Sequence, residues 1–152
     1  MTFIIAEVGV NHNNNLSYAY KYINIAKKIG VDAVKFQIFK TKNYVAAGSP
    51  LAKYQKKNSL KSNNQFDLIK KLELSEEKIN KIIKYCKKKK IEFLASIFDD
   101  WGLEFISKNR IKKIKIPSGE INNYPLLEHI AMFGKPIILS TGMNTLESVS
   151  VA

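Results

Sequence analysis

The feature that most constrains this fold is a polar side chain set on one face of each of five strand-like runs. The runs are about Phe3–Val8, Ala33–Phe39, Glu92–Ile97, Lys112–Ile116 and Pro136–Ser140. Side chains alternate faces along a strand with a period of two. Ile5, Glu7 and Gly9 therefore oppose Ile4, Ala6 and Val8, and Ala33, Lys35 and Gln37 oppose Val34, Phe36 and Ile38. In the third run Leu94 and Ser96 oppose Phe93, Ala95 and Ile97. In the fourth, Lys113, Lys115 and Pro117 oppose Ile114 and Ile116, and in the fifth Ile138 and Ser140 oppose Ile137 and Leu139. Each run thus has one apolar face suited to lie under helices. Its other face turns polar toward the C-terminal end.

Helical periodicity separates the runs. A first helix from about Ser17 carries Ala19, Tyr22, Ile23 and Ala26 on one stripe and stops at Gly30. A short helix near Gln65–Leu72 precedes one opened by Ser75 as N-cap, with Glu76 and Glu77 in its first turn. Its apolar positions Ile79, Ile82, Ile83 and Cys86 are spaced as one helix face. Further helices are expected after Asp100, near Pro125 and near Thr145. Strands alternating with helices imply a parallel sheet with right-handed crossovers.

Two α/β architectures satisfy that order. A doubly wound sheet needs apolar residues on both faces, because helices cover each. A barrel wall with a polar site at its C-terminal mouth explains the alternation better. The expected fold class is α/β, a partial (β/α)8 TIM barrel comprising about the first five βα units. A complete barrel has eight strands and roughly 250 residues. Residues 1–152 are therefore read as the N-terminal portion of a barrel domain, with a small five-stranded domain as the alternative. The polar stretch from Lys40 to about Ser62 is long for a connection, and such loops are more often functional than idle.

Bulk properties exclude several classes. No run approaches the ~18–20 apolar residues of a membrane helix, and nothing resembles a targeting peptide. One cysteine, Cys86, rules out an intramolecular disulfide and falls on a packed helix stripe. A cytoplasmic setting and no membrane partner are expected. The net charge of +12 invites a nucleic-acid reading. Yet the lysines are scattered over helix faces, with one run, Lys87–Lys90, at a helix end, where cations complement the dipole. No aromatics interleave to stack on bases, so no nucleic-acid partner is expected.

Lys35 and Lys115 stand apart from this surface charge. Both lie within apolar strand runs, and a lysine buried there loses several kcal/mol of hydration unless an anion meets it. Two such lysines on the polar face imply an interior that holds a small, strongly anionic ligand.

The motifs at these strand ends resemble the sialic acid synthase family. They are Ile5-Ala6-Glu7-Val8-Gly9-Val10-Asn11-His12-Asn13, Val34-Lys35-Phe36-Gln37, Ala52-Lys53-Tyr54-Gln55 and Leu72-Glu73-Leu74-Ser75. Glu92-Phe93-Leu94, Lys115-Ile116-Pro117-Ser118-Gly119-Glu120 and Leu139-Ser140-Thr141-Gly142-Met143 follow in the same order. The nearest likeness is to N-acetylneuraminate and legionaminate synthases, and Val8-Gly9-Val10 stands where pseudaminate synthases carry Leu-Ser-Ala. Two departures occur. Ala95-Ser96-Ile97-Phe98 replaces the family's Ser-Thr-Pro-Phe, keeping a hydroxyl at Ser96, and Asn14 replaces a glycine, a residue that tolerates left-handed backbone.

The resemblance implies a reaction joining C3 of phosphoenolpyruvate to the aldehyde carbon of an open-chain N-acetylmannosamine-type amino sugar, with release of phosphate. It assigns phosphoenolpyruvate binding to Lys35 and Lys115, with Ser96, Ser118 and Ser140 as hydroxyl donors. It makes Glu7 catalytic, with Glu120 beside it as a second catalytic group, a cap or an ion-pair partner of Lys115. Gln37 would contact the sugar, and Asn11 and His12 would shape the adjacent loop. A divalent cation, manganese or magnesium, is implied, with its ligands beyond residue 152. His12 and His129 are read as loop and helix-packing residues. The family also implies a homodimer and a C-terminal antifreeze-like domain, and this chain alone is expected to have little synthase activity. The rival readings are another phosphoenolpyruvate-condensing barrel making a 3-deoxy sugar acid, a basic polyanion-binding protein, and a non-catalytic truncated form.

Overall fold

The computed structural model describes residues 2–51 and 64–152. Five strands, β1 (Ile5–Gly9), β2 (Ala33–Ile38), β3 (Glu92–Ile97), β4 (Ile114–Ile116) and β5 (Ile137–Leu139), form one sheet in the order β1-β2-β3-β4-β5. Every pairing is parallel. The strands thus enter in chain order without the reversal that marks a doubly wound sheet, so successive right-handed crossovers set the helices on one side. This is the wall of a (β/α)8 barrel over its first five units.

The helices are α1 (Leu16–Lys28), the one-turn α2 (Thr41–Tyr44), α3 (Gln65–Leu72), α4 (Glu76–Lys89), α5 (Asp100–Lys108), α6 (Tyr124–Ala131) and α7 (Leu146–Val151). Local chemistry starts most of them. Asn15, Asn64, Ser75, Asp99, Asn123 and Thr145 each accept a backbone N–H of the first turn on a side-chain oxygen. Helix α4 ends differently from the usual glycine stop: Lys90 adopts the left-handed conformation at φ 53°.

The core lies on the apolar sheet face. Val34, Phe36 and Ile38 of β2, Phe93, Ala95 and Ile97 of β3, and Ile114 and Ile116 of β4 pack there against Ala19, Ile23 and Ala26 of α1, Ile79, Ile82 and Cys86 of α4, and Leu103 and Ile106 of α5. Burying each large side chain contributes about 1.5–3 kcal/mol, which makes this face the one the register must keep. Burial drives the Cys86 thiol up to about 12, consistent with a packed rather than reactive sulfur. Ala33, Leu94, Ser96 and Lys115 are also buried, on the opposite face.

Element boundaries depart from expectation in three places. The first strand runs to Gly9 rather than ending at Val8, and begins two residues later than expected. The fourth and fifth strands are three residues each, trimmed at their ends. The stretch after β2 contains the single turn α2 instead of continuous loop, and the Ala52–Gln55 motif lies outside the described residues.

Candidate active site

The polar face carries a compact set of side chains at the C-terminal ends of the strands. Register explains why they meet. Glu7 stands opposite Lys35, and one level higher Gln37, Ser96 and Lys115 lie side by side across β2, β3 and β4. Lys35 Nζ donates to Ser96 Oγ at 3.1 Å and pairs with Glu7 Oε2. Lys115 Nζ donates to Ser140 Oγ at 2.6 Å and to the Ile116 carbonyl. The structure therefore brings Glu7, Lys35, Ser96, Lys115 and Ser140 into one cluster.

The two lysines are not equivalent. The Lys35 side chain is 13% exposed and has a carboxylate partner. Lys115 is 8% exposed and bonds only neutral oxygens among the described residues. Burial first and the Lys35 charge second lower the Lys115 ammonium to about 8, with Glu7 only partly offsetting them. An anion arriving here meets two ammonium groups and two hydroxyls in a poorly hydrated wall.

A bulge sets the position of Glu7. The β1–β2 register slips between Glu7 and Gly9, which pairs with Phe36. Gly9 takes φ +56°, and a Cβ there would stand 3.1 Å from Glu7 Oε1 and 3.8 Å from Gln37 Nε2. Glycine thus serves both the left-handed turn and the close approach of two polar side chains. Strict alternation missed this slip, although the glycine at the strand end was its visible signal.

Other anticipated residues are placed around the cluster rather than within its bonds. Ser118 and Glu120 form a single 3-10 turn after β4. Glu120 accepts from Asn123 Nδ2 at 2.8 Å, whereas Lys115 turns to Ser140, so the alternative of a Glu120–Lys115 ion pair is not realised. The Ser118 carbonyl accepts from Asn144 Nδ2 at 2.6 Å, tying the loop after β5 to that after β4. Asn11 is exposed, while His12 is fully buried beneath its loop against Phe36. His12 Nδ1 accepts the Asn14 N–H at 2.9 Å, and burial followed by the Lys78 charge lowers the ring to about 4. Lys78 Nζ holds the Asn14 carbonyl and side-chain oxygens at 2.7 Å each, and Asn14 has φ 57°. His129 pairs with Asp100 at 2.9 Å and packs on Phe133, away from His12 on another element.

Two carboxylates that sequence reasoning did not single out organise the rim. Asp99 accepts the Gly102 N–H at 2.8 Å, the Lys40 N–H at 3.0 Å and Asn43 Nδ2 at 3.1 Å. Glu73 accepts both polar groups of Thr41, at 3.0 and 2.8 Å, and Lys70 Nζ at 2.9 Å. Burial pushes the Glu73 carboxyl up, but the Lys70 and Thr41 bonds outweigh it and hold it below its ordinary value. Together they pin residues 40–43, the root of the long connection, to β3 and α3. A cavity of about 490 Å3 opens beside them, lined by Asn43, Phe98, Asp99, Asp100, Asn123 and His129.

Among the described residues no three His, Cys, Asp or Glu side chains converge as a cation site. The residues present do not fit the divalent cation implied by the resemblance, and no step below runs through one.

The family profile described as the NeuB family matches residues 22–152. The chain belongs to the NeuB family. It is 45% identical over 150 residues to N,N'-diacetyllegionaminic acid synthase of Legionella pneumophila, covering 99% of this chain and 42% of that relative. Against the pseudaminic acid synthase of Campylobacter jejuni, identity is 31% over 148 residues, covering 97% of this chain and 43% of the relative. The NeuB fold is equally evident in three dimensions. The N-acetylneuraminic acid synthetase of Leptospira borgpetersenii, solved in complex with citrate, superposes with a TM-score of 0.84 at 28% identity. That superposition covers 99% of this chain and 48% of the neighbour. This NeuB chain spans less than half the length of the curated relatives it matches.

Proposed function

We propose that this chain is the N-terminal, phosphoenolpyruvate-holding portion of a nonulosonate synthase of the sialic and legionaminic acid type. The observation that carries the reading is the pair Lys35 and Lys115 on the polar strand face, the second buried without a carboxylate. A ligand with a phosphate and a carboxylate supplies the missing negative charge. The Leptospira neighbour was solved with citrate, itself a small polyanion.

In the proposed reaction, C3 of phosphoenolpyruvate attacks the aldehyde carbon of an N-acetylmannosamine-type sugar. A carbon–carbon bond forms, and the aldehyde oxygen takes a proton and becomes a hydroxyl. Water adds its oxygen at C2, and the C2–O bond to phosphate breaks as the ketone forms. Lys35 and Lys115 hold the anionic groups, and Ser96, Ser118 and Ser140 donate hydroxyls to them. Glu7, on the bulge, is placed to take or return a proton at the water or the sugar hydroxyl, with Glu120 as a second carboxylate on the neighbouring loop. Gln37 reaches the sugar from β2. The divalent cation, its ligands outside this chain, the dimer and the cytoplasmic setting belong to the same proposal. Among the described residues no helix is long and apolar enough to cross a membrane.

Calorimetric titration of phosphoenolpyruvate tests the reading. Binding that weakens at least about tenfold in Lys115→Met and in Lys35→Met but stays measurable, and that survives neutralisation of Lys87–Lys90, is the expected result. Binding governed by Lys87–Lys90 instead would assign the chain to polyanion binding by surface charge.

A further inference from the structure

Glu7 and the ligand compete for the same lysine. The cluster of Glu7, Lys35 and Lys115 sums to one positive charge, whereas phosphoenolpyruvate brings at least two negative ones. Among the described residues Lys115 bonds no carboxylate, donating to Ser140 Oγ and a carbonyl, so its charge is free for the ligand. Lys35 does not, because the Glu7 carboxylate already occupies it. The carboxylate is the mobile member of that pair: the Glu7 side chain is 49% exposed, against 13% for Lys35.

The backbone leaves it somewhere to go. The space over Gly9, which any other residue would fill, is flanked by Glu7 Oε1 and by the amide nitrogen of Gln37. Gln37 is level with Ser96 and Lys115, one step nearer the mouth than Lys35. A carboxylate leaving Lys35 has the Gln37 N–H donor on the other side of that space.

We infer that Glu7 is a resident counter-ion of Lys35, displaced by the incoming anion toward Gln37. This rests on the functional reading above and adds a property that reading does not require. Before the anion binds, Glu7 is the carboxylate partner of the part-buried Lys35 ammonium. Afterwards it stands free of its ion pair, beside the ligand, able to accept a proton. The same residue is thus switched from partner to base by the ligand it will act on, so the anion must bind before the second substrate finds a competent carboxylate.

The experiment is a double-mutant cycle on phosphoenolpyruvate affinity, measured by calorimetry for the wild type, Glu7→Gln, Lys35→Met and the double variant. Glu7→Gln should tighten binding on the order of tenfold, the scale of one close charge contact. In the Lys35→Met background, where no ion pair has to be broken, the same change should tighten binding clearly less. Tightening of equal size in both backgrounds would mean plain repulsion between Glu7 and the ligand, and would overturn the inference. Weaker or unchanged binding by Glu7→Gln would overturn it as well. Weakened binding in Lys115→Met alongside such a result leaves the functional reading standing alone. No binding by the wild type removes both.

Discussion

Lys113 and Lys115 leave the same strand region toward the same side, two residues apart, yet live in opposite electrostatic conditions. Lys113, before β4, donates to Glu92 Oε1 at 2.7 Å and lies over the Phe3 ring at 4.4 Å. Its side chain and that of Glu92 are each about a quarter exposed, at 29% and 27%. Lys115, one step along, is buried without a carboxylate of its own. At the floor of the wall the fold matches its charge; at the mouth it leaves one unmatched. A stably folded chain keeps such a charge at a cost, and the cost is what a ligand relieves on binding.

Breaking the comparison at its strong end gives the largest effect. Lys115→Met should cost phosphoenolpyruvate binding about 2–5 kcal/mol while raising the thermal midpoint of the free chain. Calorimetry and a melting curve check the two halves. A lowered midpoint would show that Ser140 and the Ile116 carbonyl already compensate the charge.

Acidity probes the same residue without mutation. Because burial depresses Lys115 to about 8, the ammonium is fully present below that pH and is lost above it. Affinity for phosphoenolpyruvate should therefore fall as pH rises from about 8, and fall less in Lys115→Met. The stability sign is opposite: the charged form is penalised only in the folded state, so Lys115 destabilises below about 8. That penalty is relieved as pH rises from about 8 toward the ordinary value of 10.5. Melting curves from pH 7 to 10, wild type minus Lys115→Met, isolate this contribution.

A smaller effect is expected at Ser140. Replacing it with alanine removes one neutral acceptor from Lys115 and one donor from the ligand, and should weaken binding by about 1 kcal/mol. Smallest is the floor. Lys113→Met should change stability by at most about 1 kcal/mol and leave phosphoenolpyruvate affinity unchanged, since both members of its ion pair are partly exposed. Equal losses at Lys113 and Lys115 would erase the distinction between floor and mouth.

Much of this was legible in the chain because it is local. Helix α3 and strand β3 fall on the residues the periodicity gives, and Ser75 caps α4 as its sequence implies. The grouping of Lys35, Ser96, Lys115 and Ser140 was legible too, because period-two alternation needs only strands in register. What alternation could not show is where the ladder slips. At Val8–Gly9 one extra residue re-aims the end of β1, and a strictly periodic reading has no place for it. Asp99 stands just before the helix expected after Asp100, but its bonds to Lys40 and Asn43 join residues more than fifty positions apart. Glu73 is similar: it sat inside a quoted motif, yet nothing nearby in sequence announces Thr41 as its partner. The Lys87–Lys90 run ends α4 as expected, and only the left-handed C-cap at Lys90, a place that usually selects glycine or asparagine, had no local signal.

The strict neighbour order of the sheet has a consequence in time. Each strand pairs with the one made just before it, so a chain emerging from synthesis can add strands one after another. Glu7 and Lys35 meet when β2 docks, before Lys115 has been made. In that order Glu7 is the partner within reach of Lys35 before Lys115 joins the wall. Ser140 arrives last, on β5, and only then does Lys115 gain the hydroxyl that steadies it. The pocket is written into the chain in the order in which its charges need company.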